Sequence, residues 1–347
     1  MATSFDITPE KRATALSFLK RQFFRKTPAV TKAEVDLAGK TAIVTGANVG
    51  LGFECSRQLL ELGVDKLILA VRNVAKGEAA LERLATLASL TSQTMEVWQL
   101  DMSAYDSITQ LAERTKTLDR LDIFVHNAGI SNQKLHLNPK TGYDEVIQTN
   151  YLSSVLLTVL LLPILKDKNS PTSPGRFTLV SSETAAWAAF KEKDQVPILP
   201  EFCKTDNHDG PDRYWTSKLL GLLWLSELAK RVPSSVAVVN AVNPGLCYGS
   251  NLTNNWIGIE GYVFSVMTRL IGRSAALGAR ALVDAAVRQS PKSHCQYLED
   301  GKLQPMPPLI YSVEGEEVAS RLWDETMNEL AFARVPDIIK DLSLSLA

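Results

Sequence analysis

The sequence has few of the residues that build metal centres and disulfide frameworks. Its 347 residues include only four cysteines and four histidines. The cysteines have neither close partners nor the spacing of metal ligands, so we expect free thiols in a reducing, cytoplasmic compartment and no bound metal. These cysteines are Cys55, Cys203, Cys247 and Cys295.

An excess of charge of one sign is also lacking. The formal net charge is -1, and charged residues make up 22% of the chain. This balance gives no electrostatic reason to expect a nucleic acid or an anionic membrane as partner. The hydrophobic fraction of 45% is typical of a globular chain with a sizeable core.

Long hydrophobic runs are absent as well. The first ten residues are polar and no apolar stretch follows, which argues against a secretory signal. The longest apolar run, Tyr151 to Leu165, is interrupted by serines, a threonine and a proline, and suits a buried helix better than a membrane span. Lys11 to Lys26 is basic and mildly amphipathic. It predicts a helix lying on the domain, with a membrane-surface helix as the alternative; membrane association is not expected.

Strand and helix patterns alternate from residue 40 onward. This alternation predicts an α/β fold, with a doubly wound parallel sheet covered on both faces. We interpret 40–347 as a single domain and 1–39 as an N-terminal extension. The predicted strands are 41–45, 66–71, 95–100, 121–126, 176–180 and 236–242, and the predicted helices are 51–62, 74–87, 103–115, 143–166 and 212–231.

A glycine-rich turn joins the first strand to the first helix of this series. Gly46 lets the chain leave the strand, Gly50 lets backbone N–H groups approach a pyrophosphate, and Gly52 lets the helix pack close to the sheet. The helix N-terminus offers further N–H groups and a partial positive charge to phosphates. The turn therefore predicts a nucleotide site, and its binding residues are Gly46, Asn48, Val49, Gly50, Leu51 and Gly52.

Further ligand residues are expected where the next strands end. Arg72 follows the second strand, and no acid occurs between Lys66 and Asn73. An acid here would bind the ribose 2′-OH of NAD, whereas an arginine suits the 2′-phosphate of NADP. The ordinary alternative is a solvated arginine. Cofactor contacts are also expected from the ends of the third and fourth strands, namely Asp101, Met102, Asn127, Ala128 and Gly129.

Three polar residues lie near one another in the predicted fold, one after the fifth strand and two near the start of the next long helix. Tyr214 and Lys218 are four residues apart, hence on one helix face, and Ser182 ends the strand. A tyrosine can serve as general acid for a carbonyl oxygen if its pKa falls towards neutrality, and a neighbouring ammonium favours that shift. Each of these residues alone is weak evidence for catalysis. The three together, at strand ends of a nucleotide-binding sheet, are a specific indication of it.

Taken together, these motifs resemble the short-chain dehydrogenase/reductase family, in particular its retinol-dehydrogenase-like branch and related fungal reductases. The resemblance begins near Lys40 and extends into the C-terminal region. It includes the late features Gly278-Ala279-Arg280 and Leu322-Trp323. The other matching residues are Thr45 to Gly52, Asp101, Asn127 to Gly129, Asn150, Ser182, Tyr214, Lys218 and Asn243-Pro244-Gly245.

The resemblance implies a Rossmann fold and a catalytic tetrad. Ser182 would orient the substrate oxygen, with Ser181 as the alternative, and Tyr214 would donate or accept the proton. Lys218 would also bind the nicotinamide ribose, and Asn150 would hold a water in the proton relay. Tyr214, Lys218, Pro244, Gly245 and Leu246 are the remaining implied cofactor contacts.

The sequence departs from the family pattern in two places. The usual paired asparagines are His126-Asn127, and the usual threonine after Pro-Gly is Gly249, followed by Ser250. The second change affects the expected nicotinamide carboxamide contact. In the family, the helices matching 143–166 and 212–231 often form a dimer interface. We therefore expect a homodimer, although retinol-dehydrogenase-like members need not dimerise in that way.

The predicted function is an NADP(H)-dependent oxidoreductase that interconverts a ketone or aldehyde and an alcohol. Two irregular segments, 185–213 and 249–273, are expected to line the substrate pocket because both follow sheet strands. The second is rich in apolar residues, which favours a hydrophobic substrate and a biosynthetic ketoreductase of secondary metabolism. The alternatives are a non-catalytic NADP-binding sensor or scaffold, and an epimerase or dehydratase on the same scaffold.

Overall fold

A computed structural model describes residues 5–87, 93–205, 208–250, 252–253, 255–256 and 258–343. The strands are β1 (Thr41–Thr45), β2 (Lys66–Val71), β3 (Thr94–Gln99), β4 (Ile123–His126), β5 (Arg176–Val180), β6 (Val238–Asn243), β7 (Cys247–Tyr248), β8 (Arg273–Ser274), β9 (Tyr297–Glu299) and β10 (Lys302–Gln304). The α-helices are α1 (Pro9–Ala13), α2 (Ala15–Phe24), α3 (Gly50–Glu61), α4 (Val74–Leu87), α5 (Tyr105–Lys116), α6 (Glu145–Ile147), α7 (Ser153–Asp167), α8 (Gly210–Leu228), α9 (Gly258–Ile271), α10 (Ala275–Val283), α11 (Val313–Glu329) and α12 (Val335–Ser343).

Eight strands form the central sheet in the order β10-β9-β6-β5-β4-β1-β2-β3. All neighbouring pairs are parallel except β9 and β10, which are antiparallel. The chain winds outward from β1 in one direction through β2 and β3, and in the other through β4, β5 and β6. The predicted doubly wound sheet is confirmed, and its switch point lies between β1 and β4, where such folds bind ligands.

Two hydrophobic cores hold helices against the two faces of the sheet. Every residue of β1 is buried, as the β-branched, apolar composition of a central strand requires. Phe53, Cys55 and Leu59 of α3 pack on one face together with residues of α4 and α10. On the other face α5, α7 and α8 form a larger core with the C-terminal helices.

The long apolar helix predicted over 143–166 is interrupted. Asp144 caps its start by accepting the N–H of Val146 at 2.8 Å, and a π-helical turn over Gln148–Leu152 separates α6 from α7. The segment Glu145–Asp167 is apolar and long enough to cross a membrane, yet 89% of its apolar window is buried inside the domain. Burial on nearly all sides explains its composition, as expected of a core helix.

The C-terminal helices cover the surface that was expected to form a dimer. Trp323 of α11 stacks on Trp224 of α8 with ring centroids 5.8 Å apart. The hydroxyls of Tyr151 and Thr326 lie 2.6 Å apart, and α12 packs on α7. These contacts bury the apolar faces of α7 and α8 within one chain, and the homodimer expected through these helices stays a prediction.

Some predicted boundaries are also displaced. Ser103 does not cap α5, because its hydroxyl donates instead to Asp101 Oδ1 at 2.7 Å and the helix begins two residues later. The helix predicted from residue 212 begins at Gly210, where the Asp209 carboxylate accepts the N–H of Asp212 at 3.1 Å. The basic N-terminal segment forms α1 and α2, which lie on the domain, and Thr14 separates them.

Candidate active site

The glycine-rich turn between β1 and α3 has the geometry of a phosphate cradle. Gly50 adopts a φ of +61°, which L side chains rarely adopt, and opens α3. A Cβ on Gly52 would lie 2.5 Å from the carbonyl oxygen of Gly46, so only glycine allows the helix to approach the strand this closely. Asn48, Val49 and Leu51 are half-buried around the turn. A dinucleotide pyrophosphate fits this arrangement of free helix N–H groups.

Residues at the ends of β2 and β3 flank the cradle. Arg72 comes directly after β2 and is exposed, so its guanidinium is accessible to a ligand. The Asp101 carboxylate accepts the N–H and the hydroxyl of Ser103 at 2.9 and 2.7 Å, which fixes its orientation. Met102 beside it is buried. These side chains lie where the adenosine half of a dinucleotide would extend from the cradle.

The turn after β4 is joined to β1 through one hydroxyl. Thr45 Oγ1 accepts the N–H of Asn127 at 3.0 Å and of Ala128 at 2.9 Å. The Asn127 side chain donates to the carbonyl of Thr45 at 3.0 Å, and Gly129 lies against Asn150. The carboxyl ends of the two central strands are thereby fixed relative to each other, beside the cradle.

His126, which replaces an asparagine of the family pattern, belongs to the same network. Since the Thr45 hydroxyl already accepts two N–H groups, its own hydrogen is directed to His126 Nδ1, 3.1 Å away. His126 Nε2 then donates to Ser154 Oγ at 2.8 Å. Burial and the nearby Lys218 charge lower the pKa of His126 to about 3, so it is neutral at physiological pH. It supports the turn and does not act as an acid.

The structure brings Ser182, Tyr214 and Lys218 together at the carboxyl end of β5. Ser182 hydrogen-bonds the Tyr214 hydroxyl, and its own hydroxyl is fixed by that of Thr184 at 2.9 Å. Lys218 Nζ lies 5.7 Å from the centre of the Tyr214 ring and donates to the carbonyl of Val180 at 2.9 Å. Ser181 is buried and lines an internal cavity, so the geometry favours Ser182 for the serine role.

The pKa values of this pair differ from the expectation. Burial raises the pKa of the Tyr214 hydroxyl to about 12, while the hydrogen bond with Ser182 acts in the opposite direction. Burial also lowers the pKa of the Lys218 ammonium to about 8. The prediction that Lys218 lowers the pKa of Tyr214 towards neutrality is wrong for these side chains by themselves, because desolvation of the phenolate raises that pKa. Tyr214 is therefore a protonated group at neutral pH.

Asn150 lies in the π-helical turn before α7 and faces the same site. Its side chain accepts the N–H of Ile130 at 2.9 Å and donates to the carbonyl of Ile130 at 2.8 Å and to Ser217 Oγ at 3.0 Å. A cavity of about 40 Å³ lies behind Asn150 and Lys218, with His126, Ser154 and Ser181 in its wall. This volume suffices for one water molecule among polar partners, as the implied relay requires.

The loop after β6 contains the last of the predicted cofactor contacts. Asn243 Oδ1 accepts the N–H of Gly245 at 3.0 Å, which shapes the Pro244-Gly245-Leu246 turn. Gln22 of α2 holds Leu246 by both amide atoms: Nε2 donates to its carbonyl at 2.8 Å, and Oε1 accepts its N–H at 3.2 Å. The N-terminal extension was not expected here, and no sequence motif indicated it.

Of the predicted pocket segment 249–273, residues 251, 254 and 257 lie outside the described part of the chain, and the described part contacts both the cradle and Ser131. A Cβ on Gly50 would lie 3.0 Å from the Gly249 carbonyl oxygen, so this segment starts over the cradle. Trp256 Nε1 donates to Ser131 Oγ at 3.3 Å, and the Trp256 ring packs on Phe264 at 5.1 Å. Most large apolar side chains of α9 are exposed on its outer face: Ile259, Tyr262, Val263, Val266, Met267 and Leu270. Fewer apolar side chains of this segment therefore face the site than its composition suggested.

The other irregular segment, 185–213, folds into short 3₁₀ turns beside α8. Trp187 packs edge-on against Trp215, with ring centroids 5.9 Å apart, next to Tyr214. Further along, the N–H groups of Ile198 and Leu199 donate to the Glu325 carboxylate at 2.9 and 2.8 Å, which anchors the segment to α11. Residues 206 and 207 lie outside the described part of the chain.

The donor set fits a nicotinamide dinucleotide and gives no indication of a metal. Within the described ranges, no group of three or more histidine, cysteine, aspartate or glutamate side chains could hold a metal ion. Along the carboxyl edge of the sheet, Arg72 follows β2, the cradle follows β1, and the Tyr214–Lys218 pair lies beyond β4 at the end of β5. This is the order in which the adenosine ribose, the pyrophosphate and the nicotinamide would meet them.

Comparison with known proteins agrees with this geometry. A family model described as short chain dehydrogenase matches residues 40–190. The chain is 49% identical over 348 residues to the short-chain dehydrogenase fogG of Aspergillus ruber, with 99% of this chain and 100% of that protein covered. It is 40% identical over 347 residues to the short chain dehydrogenase/reductase mfmJ of Annulohypoxylon moriforme, with 99% of each covered.

Solved structures share the fold at lower identity. An uncharacterised protein of Mycobacterium paratuberculosis is 26% identical, with a TM-score of 0.62 over 87% of this chain and 97% of that one. A 3-oxoacyl (acyl-carrier-protein) reductase of Agrobacterium tumefaciens, solved with NADP bound, is 21% identical, with a TM-score of 0.58 over 78% and 97%. The second likeness concerns the fold alone.

Proposed function

This chain belongs to the short-chain dehydrogenase/reductase family, and from that premise we propose that it is an NADP-dependent reductase of a hydrophobic ketone or aldehyde. The observation that carries the proposal is the convergence of Ser182, Tyr214 and Lys218 beside the phosphate cradle. A binding module would not need a tyrosine and a lysine held in this relation. The fungal relatives and the apolar Trp187–Trp215 pair next to Tyr214 support a biosynthetic ketoreductase of secondary metabolism.

Each residue of the site has a distinct task in this proposal. Ser182 orients the substrate oxygen by hydrogen bonding, and Tyr214 donates its proton to that oxygen during reduction. Lys218 stabilises the tyrosinate that forms and binds the ribose, while Asn150 supports the water that returns a proton. Bound NADP(H) supplies or accepts the hydride. The high pKa of Tyr214 keeps the hydroxyl protonated at neutral pH, which is the form that reduction requires.

A panel of hydrophobic ketones and aldehydes tests this function directly. Loss of NADPH absorbance with formation of the matching alcohol is the expected result. Cofactor binding without turnover on any carbonyl would favour a sensor or scaffold instead. Product formed with no net change in cofactor absorbance would indicate an epimerase or dehydratase.

We expect Arg72→Asp to reverse the cofactor preference. The exposed guanidinium after β2 can form charge-assisted hydrogen bonds with the 2′-phosphate, whereas a carboxylate repels the phosphate and accepts from a ribose hydroxyl. Loss of such bonds raises the Michaelis constant for NADPH by roughly 10- to 100-fold. Steady-state kinetics with both cofactors measure the change. Lys116→Asp, an equal charge change at the exposed far end of α5, is the control. Equal Michaelis constants for NADPH and NADH in the unmodified enzyme would contradict the proposal.

The two reaction directions are expected to respond oppositely to pH. The Lys218 charge is complete well below its pKa of about 8 and is lost as pH rises through that value. Tyr214 must be protonated for reduction and ionised for oxidation, and its pKa of about 12 lies on the alkaline side. The ratio of reduction to oxidation should therefore fall steadily as pH rises above neutrality. Initial rates in both directions across the pH range measure this ratio, and parallel profiles would contradict it.

A further inference from the structure

The N-terminal extension carries a half-buried arginine that contacts the catalytic edge of the sheet. Arg21 of α2 donates through Nη2 to Glu183 Oε2 at 3.0 Å and through Nε to Glu299 Oε1 at 3.1 Å. The exposed fraction of the side chain is 14% for Arg21, 6% for Glu183 and 2% for Glu299. Glu183 directly follows Ser182. The Arg21 guanidinium therefore links Glu183, the residue after the catalytic serine, to Glu299 of β9.

A second arginine completes the charge balance of this cluster. Arg12 of α1 forms an ion pair with Glu299 and donates to the Tyr297 hydroxyl at 3.1 Å, and only 2% of its surface is exposed. Two cations thus face two carboxylates. Buried charges of this kind are tolerated when paired, and removal of one partner leaves the other charge uncompensated.

The same extension contacts the two other parts of the catalytic edge. Asn243 donates to Glu299 Oε1 at 3.1 Å, which joins the cluster to the turn that Gln22 holds. Trp187 Nε1 donates to the carbonyl of Ala13 at 2.7 Å, and Phe18 packs edge-on against the Trp187 ring at 5.4 Å. Since Trp187 also contacts Trp215, the extension supports the 3₁₀ turn after Ser182 from outside.

We propose that Arg21 is a positioning residue: it holds Glu183, and thereby orients Ser182 towards Tyr214. This inference rests on the proposed reductase function and adds the N-terminal extension to its active site. Without the arginine, the Glu183 carboxylate loses its hydrogen bond with Nη2, and the 3₁₀ turn that begins at Glu183 is no longer anchored at that end. Small displacements of a substrate-orienting group reduce turnover strongly without abolishing binding.

The charge on Glu183 links this arrangement to pH. The groups that face it are Arg12 and Arg21 from the extension, Tyr297 and Glu299 from β9, and Cys247 from β7. Burial and the neighbouring Glu299 raise the pKa of Glu183, while Arg21 and Arg12 lower it. Removal of Arg21 therefore raises that pKa further, and Glu183 becomes protonated at a higher pH than in the unmodified chain.

Arg21→Met is the decisive variant, with Lys20→Met as matched control, since Lys20 is exposed on the same helix. In Arg21→Met we expect kcat to fall about 10-fold or more at pH values where Glu183 is ionised, with partial recovery as pH falls and Glu183 is protonated, and a smaller change in KM for NADPH. Adding Glu183→Gln should restore most of the lost turnover, because a neutral amide no longer requires a cation. Unchanged kcat and pH profile in Arg21→Met, or no recovery in the double variant, would overturn the proposal.

Hydrogen exchange followed by mass spectrometry gives a readout that does not depend on the reaction. Peptides covering 182–187 should exchange faster in Arg21→Met than in Lys20→Met, with the rest of the sheet unchanged. If Arg21→Met does not fold, Arg21→Lys is the second variant. It keeps the positive charge but loses the paired donors of the guanidinium, so residues 182–187 should again exchange faster while the stability of the protein stays normal. An unmodified enzyme inactive on every carbonyl would refute the reductase function alone, while equal exchange in all variants would refute the positioning role alone.

Discussion

Tyr214→Phe is expected to reduce turnover about 10²-fold or more while cofactor binding stays nearly unchanged. The substitution keeps the ring that packs at the start of α8 and removes only the hydroxyl that Ser182 contacts. Loss of a positioned general acid costs about 10²- to 10⁴-fold in rate. Steady-state kinetics with the preferred carbonyl and a fluorescence titration with NADPH separate turnover from binding.

Tyr262→Phe is the matched control for this variant. Tyr262 is 73% exposed on the outer face of α9, so loss of its hydroxyl should change neither turnover nor NADPH binding. Near-normal turnover of Tyr214→Phe on the physiological substrate would remove the basis for the tetrad and for the reductase mechanism together.

Lys218→Met is expected to weaken cofactor binding as well as turnover. The ammonium is placed by its hydrogen bond to the Val180 carbonyl and lies beside the Tyr214 ring. Its removal eliminates charged hydrogen bonds to the ribose, worth about 1.5–3 kcal/mol or roughly 10- to 150-fold in affinity. It also leaves the developing tyrosinate without a counter-charge, so turnover should fall by about 10²-fold or more.

The pH profile distinguishes this role from a structural one. The Lys218 charge is lost as pH rises through about 8, and a decline of the reduction rate over that range would report this loss. The decline should be absent in Lys218→Met, although the remaining rate is low. Lys204→Met, at a surface pair with Glu201, should keep both the rate and the decline. An unaltered alkaline limb in Lys218→Met would assign that titration to another group.

The sheet was predictable because its strands carry local patterns. Buried parallel strands are short apolar runs, and β2 and β5 were predicted at their observed boundaries. The C-terminal strands were harder to predict from the sequence. β9 and β10 are three residues each and gain their conformation from pairing with other strands. The homodimer stays a prediction for a related reason. An apolar helix face indicates burial, but the sequence does not say whether another chain or Trp323 of the same chain provides it.

The site was predictable as far as its residues follow strand ends. Ser182 and Tyr214 meet because parallel strands place their carboxyl ends at one edge. The pKa of Tyr214 was not predictable, since desolvation depends on three-dimensional burial and opposes the charge of Lys218. Arg12 and Arg21 were also beyond sequence reasoning. In the sequence they are two cations of a basic segment, and only the fold pairs them with Glu299 and Glu183.

The pairing of Arg12 with Glu299 has a consequence for how the chain is made. The two residues are 287 positions apart, so the first helix leaves the ribosome long before its partner strand exists. At about 5–20 residues per second, roughly 15 to 60 s of synthesis separate them. Throughout that interval Arg12 of α1 has no acid to pair with on β9, and the apolar faces of α7 and α8 that α11 and α12 cover remain exposed. Completion of the catalytic edge therefore comes late in the synthesis of the chain.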